Sequence, residues 1–346
     1  MTSLVVRLSV SVPFSDEWDL IPLLQKQATG TLGLADLWAQ HNEHRSFFPE
    51  LIMLRMARFT HWNMRAEVVL NLILATMILM ALAFLLHRTL GRRGAALGWG
   101  AYAVAAIFFS WMIFSPQQWE NWLWGWQIAW FLSNLAAISA AVILSEWPDR
   151  LPAWLGVTCA AAAAVVASFS LASGLCAWVA LVVVFALRTQ LRRGLPIWII
   201  VGATTVTLYL HNYRPGGGGG VPFALKHPVT FVGYLLAYLG APVAQQVGTA
   251  VVAGLAICAV FAASSAYLAL HHPEPLRRCA AWIGLGLYAM FGAVLTDLGR
   301  VNLGVSQSLS SRYVTLSMLV ALSTLALALA AAASYAKTTQ PAAALT

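Results

Sequence analysis

Residue types capable of chemistry are concentrated in one short stretch near the amino terminus of this 346-residue chain. Trp38–Pro49 (WAQHNEHRSFFP) is dense in polar groups, although only 9% of all residues are charged. Imidazole and carboxylate groups can transfer protons, and a guanidinium can bind an anion. We therefore predict that this stretch forms one wall of a binding site. Its polar residues are His41, Asn42, Glu43, His44 and Arg45.

Further carboxylates lie upstream, in the sequence FSDEWDL. Carboxylates at a membrane surface can act as general bases or hold a divalent cation such as Mg²⁺ or Mn²⁺. Each acid taken singly is also typical of a solvated loop. The predicted catalytic carboxylates are Asp16, Glu17, Asp19 and Glu43.

An aromatic segment carries two more polar candidates. Glu120 and Asn121 lie between tryptophans in QQWENWLWGWQ. There they could contact a sugar stacked on the rings or hold a cation. The tryptophans are also typical of an aromatic belt at the membrane interface. We include Glu120 and Asn121 in the predicted substrate-binding set.

Three arginines near apolar segments are predicted to bind an anionic ligand. Arg214 lies in HNYRP, Arg300 in TDLGR and Arg312 in SSRY. A guanidinium offers a planar fork of donors that suits a phosphate group. The alternative is that each side chain only extends to the head-group level of the membrane.

Other catalytic chemistries and metal sites fit the sequence poorly. It contains no HExxH motif, and two imidazoles, His41 and His44, do not define a zinc site even if they meet on one helical turn. The identity of any metal therefore stays open. Gly216–Gly220 follows no predicted strand, so we interpret it as a flexible external loop rather than a phosphate cradle.

Membrane helices must position these residues. The chain is 60% hydrophobic with 15 tryptophans, and its mean hydropathy is +0.75, whereas soluble proteins are about 45–50% apolar. We predict an all-α, polytopic bundle over residues 66–346. Residues 1–65 are predicted to be an amino-terminal tail and an external loop with surface helices. The net charge of +8 comes mostly from basic clusters between apolar segments, which favours a membrane protein over nucleic-acid binding.

Nine segments are predicted to span the membrane, because roughly 20 apolar residues cross a ~30 Å hydrocarbon core. Val229–Leu239 is short and is predicted to be re-entrant or interfacial. Phe48–Trp62 carries Arg55 and Arg58 on one face, which fits a surface-lying helix or an ordinary amphipathic packing helix. The predicted spans are Glu67–Leu86, Ala95–Phe114, Trp124–Ser145, Pro152–Ser168, Gly174–Leu187, Pro196–Leu210, Thr249–Leu270, Ala280–Leu295 and Tyr313–Tyr335.

Basic loops determine the predicted orientation. His87–Arg93, Arg188–Arg193 and His271–Arg278 fall on one side of the nine-span topology, which is predicted to be cytoplasmic. The candidate site then lies on the external face of a bacterial cytoplasmic membrane. The external segments are Phe14–Arg65, Ser115–Leu123, Ser168–Gly174, His211–Gly248 and Thr296–Arg312.

With these motifs, the chain resembles the GT-C superfamily of membrane glycosyltransferases, and more closely uncharacterised bacterial multi-pass proteins of that type. The resemblance implies that the donor is a lipid-linked sugar, carried on a polyprenyl phosphate. It places the acidic motif of the first external loop at Asp16, Glu17 or Asp19. That carboxylate would activate an acceptor hydroxyl. Arg300 and Arg312 would hold the phosphate of the lipid carrier.

The family's first spanning helix should precede the acidic motif. Met1–Pro13 is too short to span. We therefore expect a first helix to be missing from the chain, and amino-terminal sequencing of the native protein tests this.

Three functional hypotheses remain open. The leading one is transfer of a sugar from a polyprenyl-phosphate carrier on the external face. The second is a transporter or flippase for lipids or small molecules. The predicted spans contain Asn71, Gln127 and Asn134 but no clearly central charge, which disfavours ion-coupled transport. The third is a non-catalytic subunit that binds another membrane protein.

Overall fold

The computed structural model of the protein describes residues 1–91, 98–214 and 220–339. Every regular element within these ranges is a helix, which confirms the all-α prediction. Some predicted features lie outside the described residues. They are Arg92 and Arg93 of the first basic loop, the start of the second predicted span at Ala95, and the glycine loop up to Gly219.

Short helices precede the first long one. The last of them confirms the predicted helix after the polar stretch: Met53 and Ala57 are buried in it, whereas Arg55 and Arg58 are exposed. This amphipathic pattern shows that the helix packs on the bundle along one face. The helices are α1 (Thr2–Leu8), α2 (Ile21–Ala28), α3 (Leu34–Leu37) and α4 (Phe47–Thr60).

Helices of 5 to 27 residues form the rest of the described chain, with 3₁₀ turns in several connections. The helices are α5 (Met64–Leu90), α6 (Gly98–Ile113), α7 (Trp119–Leu123), α8 (Ile128–Glu146), α9 (Ala153–Ser168), α10 (Cys176–Ala180), α11 (Val182–Leu187), α12 (Leu195–Leu210), α13 (Gly220–Lys226), α14 (Pro228–Gly240), α15 (Val247–His271), α16 (Pro273–Arg278), α17 (Ala280–Arg300) and α18 (Val314–Thr339). The 3₁₀ turns are Ser15–Leu20, Pro116–Gln118, Gly125–Gln127, Ala172–Leu175, Thr189–Gly194, Val301–Leu303, Val305–Leu309 and Ser311–Tyr313.

Six helical segments of the described chain are long and apolar enough to cross a membrane, which supports a multi-pass membrane protein. The predicted count of nine is not confirmed. Helices α6 and α9 have 16 residues each, so they are about 24 Å long and fall short of a ~30 Å core. The predicted span Gly174–Leu187 is divided between a 3₁₀ turn, α10 and α11. The six segments are Met64–Leu90, Gly125–Glu146, Thr189–Leu210, Val247–His271, Ala280–Leu303 and Ser311–Ala336.

The loops separate into two groups at opposite ends of the bundle. The ends of α5, α8, α11 and α16 meet around one cavity, where Arg88, Glu146, Arg188 and Arg278 lie together. The start of α5, the start of α8 and the end of α17 meet the amino-terminal region at the other end. This grouping matches the predicted topology. Which end faces the cytoplasm stays a prediction.

Helix α14 packs closely against α15 without being long enough to span. A Cβ atom on Gly240 would collide with the carbonyl oxygen of Ala250, and one on Gly254 with that of Leu236. Glycine at both positions therefore lets the two backbones approach each other. With 13 residues, α14 is about 20 Å long, which agrees with the re-entrant or interfacial prediction.

The amino-terminal region shares the hydrophobic core of the long helices. Val5, Leu20 and Leu37 belong to the same buried cluster as Leu82 and Tyr288. The segments that carry the predicted acidic residues and the polar stretch are therefore held in place on the end of the bundle.

Candidate active site

A cavity of about 530 Å³ lies at the end of the bundle where α17 ends. Its size is in the range of small-molecule sites. The five predicted external segments, or turns directly beside them, all contribute to the cavity or to its supports. The polar lining residues are Asp16, His41, Asn42, Glu43, His44, Ser46, Gln127, Ser173, Tyr213, Thr296, Arg300 and Arg312.

The polar stretch forms a tight turn rather than a helix. The backbones of His41 and His44 exchange two hydrogen bonds, each with an N–O distance of 2.9 Å. Asn42 between them has a φ of 50°, which asparagine tolerates better than most residues. His41 and His44 therefore do not share a helical turn. Both histidines line the cavity from opposite strands of the turn.

Arg45 fixes this turn to the end of α12. Its buried guanidinium donates through Nε to the Tyr209 carbonyl at 2.7 Å and through Nη1 to the Trp38 carbonyl at 2.6 Å. It also donates to the carbonyl of His211. Each of the three guanidinium nitrogens thus donates to a backbone carbonyl, and Arg45 does not line the cavity. In this structure Arg45, a predicted substrate-binding residue, positions the wall of the site.

An ion pair joins the turn to α17. Arg300 Nη2 lies 2.7 Å from Glu43 Oε2, and both side chains are half-buried. The Glu43 carbonyl also accepts hydrogen bonds from the hydroxyls of Tyr209, at 2.9 Å, and Tyr213, at 3.4 Å. These contacts fix Glu43 and direct Arg300 to the cavity wall.

His44 is a neutral hydrogen-bonding group. The Ala172 N–H donates to its Nδ1 at 3.3 Å. Burial lowers the pKa of His44 well below its ordinary value. Arg300 and Arg312 add to this effect, and Glu43 opposes it. Because Nδ1 accepts, the neutral imidazole carries its proton on Nε2 and can donate one hydrogen bond to a ligand.

Two carboxylates flank the other histidine. Asp16 Oδ2 lies 3.6 Å from His41 Nε2, and Asp19 Oδ2 lies 3.7 Å from His41 Nδ1. One ligand atom from each of the three residues lies within 4.8 Å of the others. Such oxygen and nitrogen donors could hold the predicted divalent cation. The His41 ring packs on Trp126 with a centroid distance of 4.9 Å, which limits its movement.

Glu17 points away from the cavity, although it was predicted to be catalytic. Its buried carboxylate accepts hydrogen bonds from the backbone N–H groups of Phe14, at 2.7 Å, and Trp126, at 3.3 Å. Burial raises the pKa of Glu17, and these hydrogen bonds oppose the rise. A Cβ atom on Gly125 would lie 2.9 Å from Glu17 Oε1 and 2.8 Å from Glu67 Cβ. Glycine there leaves room for both acidic side chains.

Glu120 and Asn121 hold the turn that carries Arg312. Glu120 Oε2 accepts from the Arg312 N–H at 3.2 Å and from the Ser311 hydroxyl. Asn121 Nδ2 donates to the Arg312 carbonyl at 3.0 Å and to the Thr315 hydroxyl. Neither residue lines the cavity. They position the backbone of a residue that does.

The two remaining arginines differ in their surroundings. The Arg312 guanidinium lies over the Tyr313 ring at 5.7 Å, and no carboxylate of residues 1–91, 98–214 or 220–339 lies within ion-pair distance of it. Arg214 is exposed and outside the cavity. Its backbone N–H and carbonyl both bond to the side-chain amide of Gln40, at 2.9 and 2.7 Å. Arg312 is thus available for an anionic ligand, whereas the Arg214 backbone supports the polar turn.

Sequence and structure comparisons find no match for the chain among protein families, curated proteins or solved structures. Any function assigned to the candidate site therefore has to be argued from the geometry of the site itself.

Sequence reasoning missed several lining residues. Tyr213 lies next to Arg214, and Trp124 follows the Glu120 motif, so both had an aromatic signal in a segment already considered. Ser173 and Thr296 lie at the ends of apolar segments, where their side chains have no distinguishing sequence pattern.

Proposed function

We propose that this protein is a glycosyltransferase-like membrane enzyme that transfers a sugar from a polyprenyl-phosphate carrier to an acceptor hydroxyl. The convergence of charged groups carries the proposal. Three separate segments of the sequence line one cavity at the end of an apolar bundle. They contribute Asp16, then Glu43 and His44, and then Arg300 and Arg312. A phosphate-linked sugar requires both cationic and acidic groups, close to the membrane that holds its lipid. The resemblance to the GT-C superfamily points in the same direction.

Two guanidiniums would bind the donor. Arg312 presents donors that no carboxylate of the described residues neutralises, and these suit the carrier phosphate. Arg300 adds a second guanidinium, which Glu43 holds in place. As the bond from the sugar to the carrier phosphate breaks, negative charge increases on the phosphate oxygen, and the arginines stabilise it.

Asp16 would act on the acceptor. Its carboxylate takes the proton of the acceptor hydroxyl while the hydroxyl oxygen bonds to the anomeric carbon of the sugar. The bond from that carbon to the phosphate oxygen breaks, and the lipid phosphate leaves with the electron pair. His44 donates a hydrogen bond through Nε2, and the ring of Trp126 offers a surface for stacking a sugar. Asp19 and His41, with Asp16, could hold a divalent cation that would neutralise phosphate charge.

We place this cavity on the external face of a bacterial cytoplasmic membrane. The support is the cluster of arginines at the opposite end of the same helices, where Arg88, Arg188, Arg277 and Arg278 meet. Basic residues of short loops favour the cytoplasmic side.

The direct test is transfer of a labelled sugar from a polyprenyl-phosphate carrier by the purified protein. We expect Asp16→Asn and Arg312→Ala each to reduce transfer about 10²-fold or more, because each removes a group that acts on the reacting atoms. Asp36→Asn and Arg214→Ala are matched controls, since both residues lie outside the cavity. Full activity of both cavity variants would refute the assignment.

A transporter of lipids or small molecules is the second candidate, because two spanning segments contain buried carboxylates. Glu67 lies in Met64–Leu90, and Asp297 lies in Ala280–Leu303. Both oxygens of Asp297 lack a hydrogen-bond partner within the described residues. Such groups are typical of transport pathways, although here they lie close to one end of their helices. Uptake of a lipid into proteoliposomes without a covalent product would favour this function.

A further inference from the structure

A second cavity, of about 610 Å³, lies at the end of the bundle opposite the candidate active site. The end of α5, the residues that follow α8 and α11, and the short helix α16 surround it. We call it the arginine cavity. Its charged lining residues are Arg88, Glu146, Asp149, Arg188, Glu274, Arg277 and Arg278.

Two of its arginines are neutralised by close ion pairs. Arg88 Nε lies 2.6 Å from Glu146 Oε2, and Arg188 Nη2 lies 3.2 Å from Asp149 Oδ1. Arg188 also donates to the carbonyl of Trp147 at 3.3 Å. These contacts join the loop after α8 to the ends of α5 and α11. They build the walls of the cavity and leave its charge balanced on that side.

The third carboxylate faces two arginines at once. Glu274 lies 3.9 Å from Arg277 Nη1 and 3.6 Å from Arg278 Nη2. Both distances exceed those of normal hydrogen bonds. Neither guanidinium donates a hydrogen bond to any side chain or backbone atom of the described ranges. One negative charge therefore faces two positive groups, whose side chains are 60% and 43% exposed.

We propose that the arginine cavity binds the phosphate of an anionic phospholipid head group through Arg277 and Arg278. Two adjacent guanidiniums can form charge-assisted hydrogen bonds to the oxygens of one phosphate. The cavity volume lies within the range of small-molecule sites. Its position at the ends of apolar helices, on the side with the basic loops, is where anionic head groups contact a membrane protein. Free phosphate has the same chemistry, so the test must separate the two sources.

The test measures ligand binding to the full chain in detergent by native mass spectrometry. The probes are short-chain phosphatidylglycerol, short-chain phosphatidylcholine and inorganic phosphate. We expect the protein to bind phosphatidylglycerol in preference to phosphatidylcholine. The double variant Arg277→Gln/Arg278→Gln is expected to bind phosphatidylglycerol about tenfold more weakly, because it loses charge-assisted hydrogen bonds.

A matched control separates a defined cavity from general charge attraction. Arg150 and Arg193 are exposed arginines of the same basic loops and lie outside the cavity. The double variant Arg150→Gln/Arg193→Gln removes the same charge and should bind as the unchanged protein does. Because Arg277 and Arg278 are exposed, their replacement should leave the unfolding temperature unchanged.

Each result of the binding measurements either supports the proposal or overturns it. Loss of phosphatidylglycerol binding only in the Arg277/Arg278 variant supports the lipid site. Arginine-dependent binding of inorganic phosphate, without preference for the lipid, supports the same site with free phosphate as its ligand. Equal binding by both double variants would overturn the proposal. Transfer of sugar is not part of the readout, so the result is independent of the proposed function.

Discussion

Charged groups line a cavity at each end of the bundle, but the two ends hold these groups differently. At the candidate active site, Glu43, His44 and Arg300 are half-buried or buried, and contacts between distant segments fix them. At the arginine cavity, Arg277 and Glu274 are largely exposed and belong to one short helix. The first arrangement requires the folded chain to place each group. The pairs of Glu274 follow from local sequence, and the water around them weakens each one. The other two pairs of this cavity, Arg88–Glu146 and Arg188–Asp149, join separate segments.

The difference shows where chemistry is to be expected. An exposed pair between neighbours on a helix contributes little free energy and is easily rearranged. Half-buried groups drawn from several segments have fixed positions, which a reaction at a defined carbon or phosphorus atom needs. The predictions below test whether this contrast holds, beginning with the largest expected effect.

Removal of Arg45 should have the largest effect on stability. Its buried guanidinium satisfies the carbonyls of Trp38, Tyr209 and His211. Arg45→Gln leaves acceptors unpaired, and we expect a loss of about 3–4 kcal/mol in the free energy of unfolding. Arg277→Gln, at the exposed arginine cavity, serves as the comparison. Its free energy of unfolding is expected to change by less than about 0.5 kcal/mol. Thermal unfolding in detergent measures both, and equal shifts would remove the contrast between the two ends.

Gly125→Ala should have the second largest effect. An added methyl group would meet the carboxylates of Glu17 and Glu67 at the base of the site. We expect a loss of about 1–3 kcal/mol, because neighbouring side chains must move in a packed region. Gly248→Ala is the control, since a Cβ atom there meets no atom within 4 Å. Unfolding midpoints that fall equally in both variants would contradict the close packing around Gly125.

Much of the fold could be predicted from the sequence, because long apolar segments leave few alternatives to membrane helices. The start of α17 at Ala280 and the helical nature of α4 follow from hydropathy and periodicity. The break after α9 was predicted as the external segment Ser168–Gly174. The further division of Gly174–Leu187 between a 3₁₀ turn, α10 and α11 has no strong sequence signal, because these residues are almost all apolar. The predicted count of nine spans is not confirmed, partly because α6 and α9, as far as the structure describes them, are shorter than a spanning helix needs.

The candidate site was predictable in composition but less so in the role of each residue. Asp16, His41, Glu43 and Arg312 line the cavity as residue type and topology indicated. Nothing in the local sequence distinguishes Arg45 from an arginine that binds a ligand. Only the carbonyls of α12, more than 160 residues away, show that its donors are already used. Roles set by long-range hydrogen bonds cannot be read from local sequence.

Two ion pairs of similar length, one at each end of the bundle, allow a direct comparison of the two ends. Glu43–Arg300 and Glu146–Arg88 have N–O distances of 2.7 and 2.6 Å. If the first pair holds a donor-binding guanidinium, Glu43→Gln should lower the rate of sugar transfer about tenfold. Glu146→Gln should leave the rate unchanged, because it lies at the other end of the bundle. A loss of the same size in both variants would indicate a general effect on folding.

The smallest expected effect concerns Glu50, which is buried in α4 beside the candidate site. Burial raises its pKa to about 8 from an ordinary value of 4.5. Since the folded-state pKa is the higher one, the contribution of the protonated group to stability is complete below about pH 4.5 and is lost as pH rises through 8. Glu50→Gln has no such proton to lose.

The unfolding temperature of Glu50→Gln should therefore match that of the unchanged protein near pH 5 and exceed it by a few degrees near pH 8. The lowered pKa of His44 makes both proteins less stable as pH falls below about 6.5, so that effect cancels in the difference. A difference for Glu50→Gln that stays constant from pH 5 to 8 would mean that water solvates its carboxylate in the folded protein, and the contrast between the two ends would not extend to α4.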